Sequence, residues 1–301
     1  MVITPGEPSD KRFFQLLTGS IAPRPIALAS TIDKEGRPNL APFSFFNFFG
    51  SDPPLLIFSP ITSVRRGSAK HTLENIYETM EVTINMVCYA MIRQTSLAAC
   101  EYPKEVNEFR KSGFTPLASH IIKPWRVKES PVNYECSVQR VIETGPAGGA
   151  GNLVVCEVLL IHVREDILAE DGYIDPHKID LVGSMGLNYY CRASGSAVHI
   201  IPKPNNRLSV GVDALPAFVK RSEILSANDL GQLADVTQIP AEDPAFSDAR
   251  LSCILRYFAA GPGKLEQALH SYAHELLQRG RVLQAWQVLL KSRSIHLGEN
   301  G

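Results

Sequence analysis

The sequence lacks the features that would place it quickly. It has no excess of charge of one sign: 30 basic residues stand against 31 acidic ones, a formal net charge of −1. That excludes gripping nucleic acid by bulk electrostatics and leaves only a local basic site. It has no apolar run that could cross a bilayer. The longest, Leu153 to Val163, is interrupted by Glu157 and is too short. The opening residues, Met1 to Lys11, include Pro5, Glu7, Pro8 and Asp10 and no apolar h-region, so no secretory signal is expected and the protein reads as cytoplasmic. Its 6 cysteines form no C-x-x-C pair and lie in apolar stretches, so we expect small buried hydrophobes of a reducing compartment, with neither a disulfide framework nor a metal site. There is no G-x-G-x-x-G, no G-K-[ST], no H-E-x-x-H and no G-x-S-x-G. Helix-spaced His270 and His274 have no evident third ligand, and hydrolase chemistry is disfavoured.

What is present is an ordinary globular composition, 45% hydrophobic and 20% charged over 301 residues, enough for one large all-β unit or two domains. Residues 26–32, 55–58, 81–87, 132–142 and 153–163 have the apolar or alternating character of strands, the last two forming a long hairpin around the glycine-rich 145–151. Leu73, Ile76, Tyr77 and Met80 mark one face of a helix over about 68–79, and short helices are expected at 89–101 and 104–111. Many strands with few crossover helices point to a barrel, mainly β with α additions. After Pro204 the pattern changes. Residues 205–245 are loop-rich, then Ser247 can cap a helix bearing Leu251, Ile254, Leu255 and Phe258, stopped by Gly261-Pro262-Gly263. Two further helices follow, over 264–280 and 282–291. That helix pair faintly resembles one tetratricopeptide unit. A lone unit cannot cover its own apolar face, so it should pack on the barrel, on a subunit mate or on a partner.

Two stretches could carry chemistry. Ser59 to Thr72 gathers Ser59, Thr62, Ser63, Ser68 and Thr72 with Arg65, Arg66 and Lys70 at the N-terminus of the expected helix. Cations there oppose the helix dipole by about 0.3–1 kcal/mol each. A bound phosphate reverses that sign; otherwise the stretch is a solvated turn. Ala41 to Gly50 carries 5 phenylalanines with Ser44 and Asn47. It is either a core strand or a wall for a planar heteroaromatic ligand, reached also by Thr31, Asn39 and the backbone at 43–45.

Arg24-Pro-Ile-Ala-Leu-Ala-Ser-Thr-Ile-Asp33, Gly36-Arg-Pro-Asn-Leu-Ala-Pro-Phe-Ser44 and Phe46-Asn47 resemble the flavin reductase-like family with its FMN-binding split barrel. So do Pro53-Pro-Leu-Leu56, Lys70-His-Thr72, Val82-Thr-Ile-Asn85, Glu157-Val158 and Gly183-Ser-Met-Gly186 to Tyr190. The resemblance covers about residues 10–204. It implies a split β-barrel (1–204) followed by a mostly helical extension (205–301), and a homodimer with FMN near the subunit interface. It implies Ser63, Arg65, Lys70 and Thr72 at the phosphate, and Thr31, Asn39, Phe43, Ser44 and Asn47 at the ring and ribityl chain. Two departures stand out: His71 where the family often has Asp, and Ser184 where it often has Arg. The implied activity is an oxidoreductase transferring hydride from NADH or NADPH to FMN. The alternatives are a flavoredoxin-like carrier reduced by an electron-transfer protein partner, or a dimeric FMN-binding scaffold whose C-terminal helices bind a partner.

Overall fold

A computed structural model describes residues 2–5, 11–61, 71–146, 148–203, 207–258 and 261–297, with side chains described up to 292. The chain divides into two compact units, Met1–His199 and Ile200–Gly301.

The first unit opens with an amphipathic helix, α1 (Lys11–Ser20), and continues as β1 (Ala27–Ile32), β2 (Pro38–Phe43), β3 (Phe46–Ser51), β4 (Pro54–Phe58), α2 (His71–Thr79) and β5 (Glu81–Met86). Helices α3 (Ile92–Ala98) and α4 (Glu108–Ser112) precede the short strands β6 (Pro116–Leu117) and β7 (Arg126–Val127). The long hairpin β8 (Val132–Glu143) and β9 (Asn152–Val163) comes next, and β10 (Val182–Gly186) with β11 (Tyr189–Arg192) ends the unit. Seven strands form one antiparallel sheet in the order β2-β1-β5-β8-β9-β4-β3. β2 and β3 hold opposite edges, yet only Ser44 and Phe45 separate them in the chain. Three steps from Phe43 to Phe46 reach at most about 11 Å, so the sheet must curl until its edges come close, and no ladder joins β2 to β3 among the described residues. The result is the expected split barrel.

Alternation along β1 sends its side chains both ways. Ala27 and Ala29 join Phe43, Phe58, Ile84, Val154 and the α2 residues Leu73 and Ile76; Ile26 and Leu28 join Leu40, Met91, Phe109 and Phe114 beneath α3 and α4. Both faces are covered, which is why the strand carries no charged residue and does not alternate apolar with exposed polar positions.

Residues 41–50 are two strands and not one. Phe43 packs inside on Phe58, ring centroids 5.3 Å apart, whereas Phe48 and Phe49 on edge strand β3 are exposed. The cysteine expectation needs a similar correction. All six are free, and Cys88, Cys136 and Cys156 are buried, but Cys191 is half-buried and Cys100 and Cys253 are exposed. Cys253 lies two residues past buried Leu251 on a helix, about 200° around its axis, and Cys100 follows the end of α3 in a surface connection.

The second unit contains α5 (Ala217–Lys220), α6 (Ala227–Ala234), α7 (Ala249–Tyr257), α8 (Pro262–Gln278) and α9 (Val282–Leu297). Asp248 rather than Ser247 caps α7, accepting from Leu251 N at 2.8 Å; the Ser247 hydroxyl is 2.8 Å from that of Ser252 instead. Gly280, with φ at 68°, makes the turn that pairs α8 with α9. Trp286, Leu269, Ala273, Leu276 and Leu289 of this pair pack against Leu215, Val219, Leu233 and Leu251. The segment that looked loop-rich in sequence is therefore the cover. The helix pair closes its core against other residues of its own unit.

Candidate functional site

Thr31 and Asn39 are register partners on β1 and β2, and α2 crosses above them. The Thr72 hydroxyl donates to Asn39 Oδ1 at 2.6 Å, and Asn75 Nδ2 donates to Thr31 Oγ1 at 3.1 Å. The other end of the Asn39 amide donates to Glu108 Oε1 at 3.1 Å, and Leu40 N donates to Glu108 Oε2 at 3.3 Å. Asn107 caps α4 and so sets Glu108 in its first turn. All five side chains are buried. Burial pushes the Glu108 carboxyl up, against the hydrogen bonds it accepts, Leu40 N and the Asn39 amide among them. Asn75 Oδ1 is buried with no hydrogen-bond partner among the described residues.

Ser44 sits at the turn between β2 and β3, half-buried, and Asn47 is exposed on β3 with its Oδ1 accepting from Phe48 N at 2.8 Å. These two lie beyond the Phe43 end of β2, an end about 13 Å from Asn39 at 3.3 Å per residue. The Phe43 ring points into the barrel core, so only its backbone is available to a ligand. Ser63, Arg65 and Lys70 lie outside the described residues, as does the start of the expected helix at 68–70. Both ends of that stretch are anchored. At one end Ser59 N donates to Phe45 O at 2.9 Å, while the backbone and side-chain amides of Asn152 both donate to Pro60 O, at 3.1 and 3.0 Å. At the other end Thr72 is bonded to Asn39. The hydroxyl- and cation-rich segment thus starts beside the Ser44 turn and finishes beside the Thr31–Asn39 pair. His71, in the family's Asp position, bonds to Glu74 at 3.3 Å, and Lys104 joins the same carboxylate at 3.6 Å.

Sequence reasoning missed Asn75, Glu108 and Arg24. Asn75 carried a signal, being polar at i+3 from Thr72 on the helix face that turns inward; Glu108 carried none. Arg24 is buried, and its guanidinium donates to the carbonyls of Thr18 and Ile21 at the end of α1 and, at 3.3 Å, to the Ser184 hydroxyl. Backbone bonds run both ways between the same two residues, 3.0 Å from Arg24 N and 2.8 Å from Ser184 N. Beside them opens a cavity of about 200 Å³ lined by Ile26, Pro42, Ser44, Thr95, Ser96, Ala99, Ser184 and Tyr190. His270 and His274 do not converge: the first bonds to Ser222 and the second to Asp229, each at 2.8 Å.

The fold is a split antiparallel barrel with a buried polar seam beneath α2. The flavin reductase like domain matches residues 19–192, and the chain belongs to that family, whose barrel is an FMN-binding fold. An uncharacterized protein of Aquifex aeolicus is 36% identical over 182 residues, 60% of this chain and 90% of its own length. Among solved structures, nitrilotriacetate monooxygenase component B from Bacillus cereus matches with a TM-score of 0.61 at 29% identity, over 66% of this chain and 98% of that one. The 2-nitrobenzoate 2-nitroreductase of Pseudomonas fluorescens matches with a TM-score of 0.60 at 27% identity, over 70% and 100%. Flavoredoxin of Desulfovibrio vulgaris shares the fold, with a TM-score of 0.51 at 24% identity over 61% of this chain and 92% of that one.

Proposed function

We propose that this chain is an FMN-dependent oxidoreductase, a flavin reductase that takes hydride from NADH or NADPH. The observation that carries the reading is the placement of the two described ends of the 59–72 stretch, one beside the Ser44 turn and the other at the buried Thr31–Asn39–Thr72 cluster. The residues fit the group. Arg65 and Lys70, with Ser63, supply charge and hydroxyls to a phosphate. Thr72 adds its backbone N–H, because the first N–H groups of a helix have no intrahelical partner. Ser44 has a hydroxyl without a partner among the described residues, and Asn75 Oδ1 is a buried acceptor without a donor. Both suit the polar edge and ribityl hydroxyls of a flavin, with Thr31, Asn39, Asn47 and the backbone of Phe43 beside them.

FMN, when bound, would supply the hydride-accepting chemistry. The protein binds and orients, and backbone N–H groups at 43–45 stabilise negative charge arriving at the ring. We further propose a homodimer with the flavin near its interface. The exposed apolar residues Phe48, Phe49, Leu159 and Ile161 on β3 and β9 support it. No helix among the described residues is long and apolar enough to cross a membrane.

Titration with FMN at micromolar concentrations tests the binding, and no spectral change would overturn it. Stopped-flow mixing of the loaded protein with each nicotinamide tests the donor. Rapid bleaching supports the reductase, and no bleaching moves the reading to a carrier reduced by a protein. Light scattering reads the oligomeric state.

A further inference from the structure

Arg24 is 7% exposed. Its guanidinium donates to the carbonyls of Thr18 and Ile21 and, at 3.3 Å, to the Ser184 hydroxyl, while its Nε is buried with no partner among the described residues. No carboxylate pairs with it among those residues, and burial holds its pKa below the usual arginine value. An arginine keeps its proton even so. The two carbonyls are the open C-terminal end of α1, and a helix end offers about half a negative charge. The rest of the positive charge is uncompensated, although buried charges are ordinarily paired because they are costly to hold out of water. Packing does not require that charge, since neutral N–H donors would serve the same carbonyls and hydroxyl.

Its place in the fold is the second observation. The guanidinium lies over the Phe45 ring, 5.7 Å from the centroid, and Phe14 of α1 meets the same ring edge-on at 6.3 Å. Phe45 belongs to the two-residue turn whose backbone N–H groups face the ring in the FMN reading. Backbone hydrogen bonds in both directions tie Arg24 to Ser184, which lines the groove beside Ser44. Arg24 itself does not line that groove. The cation therefore stands behind two walls of the ring site, with α1 and Phe45 packed against it.

Hydride transfer adds two electrons and one proton to the flavin ring, which goes from neutral to singly negative, while the nicotinamide goes from neutral to singly positive. A fixed cation in a water-poor surrounding favours the first charge and opposes the second. We propose that Arg24 is a positioning residue that biases bound flavin toward its reduced form, its uncompensated charge acting from behind the Ser44–Phe45 turn and Ser184 rather than by contact. The proposal rests on the FMN reading and adds to it the residue that sets the electron affinity of the ring.

A group shifts an equilibrium between two states only by its differential interaction with them, so the quantity to measure is the Kd for oxidised FMN divided by the Kd for reduced FMN. Anaerobic titration of the full-length protein with each form gives this ratio, and the midpoint potential of the bound flavin checks it. Arg24→Gln keeps N–H donors and loses the charge. Its ratio should fall at least tenfold, which lowers the potential by about 30 mV for a two-electron couple. Arg24→Lys keeps the charge and should stay within threefold of the parent. Affinity for oxidised FMN should change less than threefold in both, with circular dichroism checking the fold. If Arg24→Gln does not fold, Phe45→Ala carries the test: without that ring, water reaches the guanidinium and screens it, and the ratio should fall at least threefold. An unchanged ratio in the variant that carries the test, or equal losses of affinity for the two forms, would overturn the proposal and leave the FMN reading standing. A parent protein that takes up neither form of FMN would overturn both.

Discussion

The hydroxyl of Thr72 donates to the amide oxygen of Asn39 across 2.6 Å, with both residues buried. A hydroxyl has one hydrogen to give, and here it is spent inside the protein. A phosphate proposed at this helix end would therefore be served by the Thr72 backbone, and Thr72→Val separates the two roles. Leaving Asn39 Oδ1 buried and unsatisfied should cost about 1–3 kcal/mol of stability in urea unfolding, and Thr72→Ser should restore it. FMN affinity should change less than threefold. A large loss of affinity at unchanged stability would show that the hydroxyl serves the ligand instead.

Lys70→Ala should behave in the opposite way. A hydrogen bond to a charged group contributes about 1.5–3 kcal/mol, so FMN should bind roughly ten- to 150-fold more weakly, with unfolding unchanged. Affinity within twofold of the parent removes Lys70 from the phosphate.

Glu108 predicts a pH signature. Its carboxyl titrates above the ordinary range because it is buried, so over the window from about 4.3 up to its raised value the native state holds the proton more tightly than the unfolded chain. Stability contributed by this group therefore falls as pH rises through that window and is level above it. Glu108→Gln cannot titrate. The melting temperature of Glu108→Gln minus that of the parent should increase between pH 4 and 7. An offset that does not vary with pH would mean that Glu108 is not the group responsible.

Trp286 is fully buried, and its indole N–H donates to Leu233 O at 3.1 Å. Trp286→Ala should remove about 3–5 kcal/mol, and the loss should appear in the second unit, whose core cluster among the described residues runs from Leu215 to Leu290. FMN affinity should be unaffected, and a chain ending at 199 should bind FMN like the parent. If truncation abolishes FMN binding, the second unit has a part in the site.

Much of the barrel was legible because its strands are covered on one or both faces, and coverage writes itself into apolar runs such as 26–32 and 153–163. The hydroxyl-rich stretch stood out in the sequence for a different reason, since cations at an expected helix N-terminus contradict the dipole and so ask for an anion. Glu108 was not legible. Nothing in its neighbourhood marks a buried carboxylate, and only the fold brings α4 against the Asn39 amide. The same holds for Arg24 and Ser184, which are 160 positions apart. The cover over α8 and α9 was missed because short helices such as α5, of four residues, leave no periodic signature.

The bridge between Arg24 and Ser184 also bears on synthesis. Domains generally fold as units while the chain emerges from the N-terminus, and contacts of large sequence separation must wait for their later partner. α1, made first, is tied through Arg24 to a strand near the end of the unit, so the start of the chain has no settled place until residue 184 has left the ribosome.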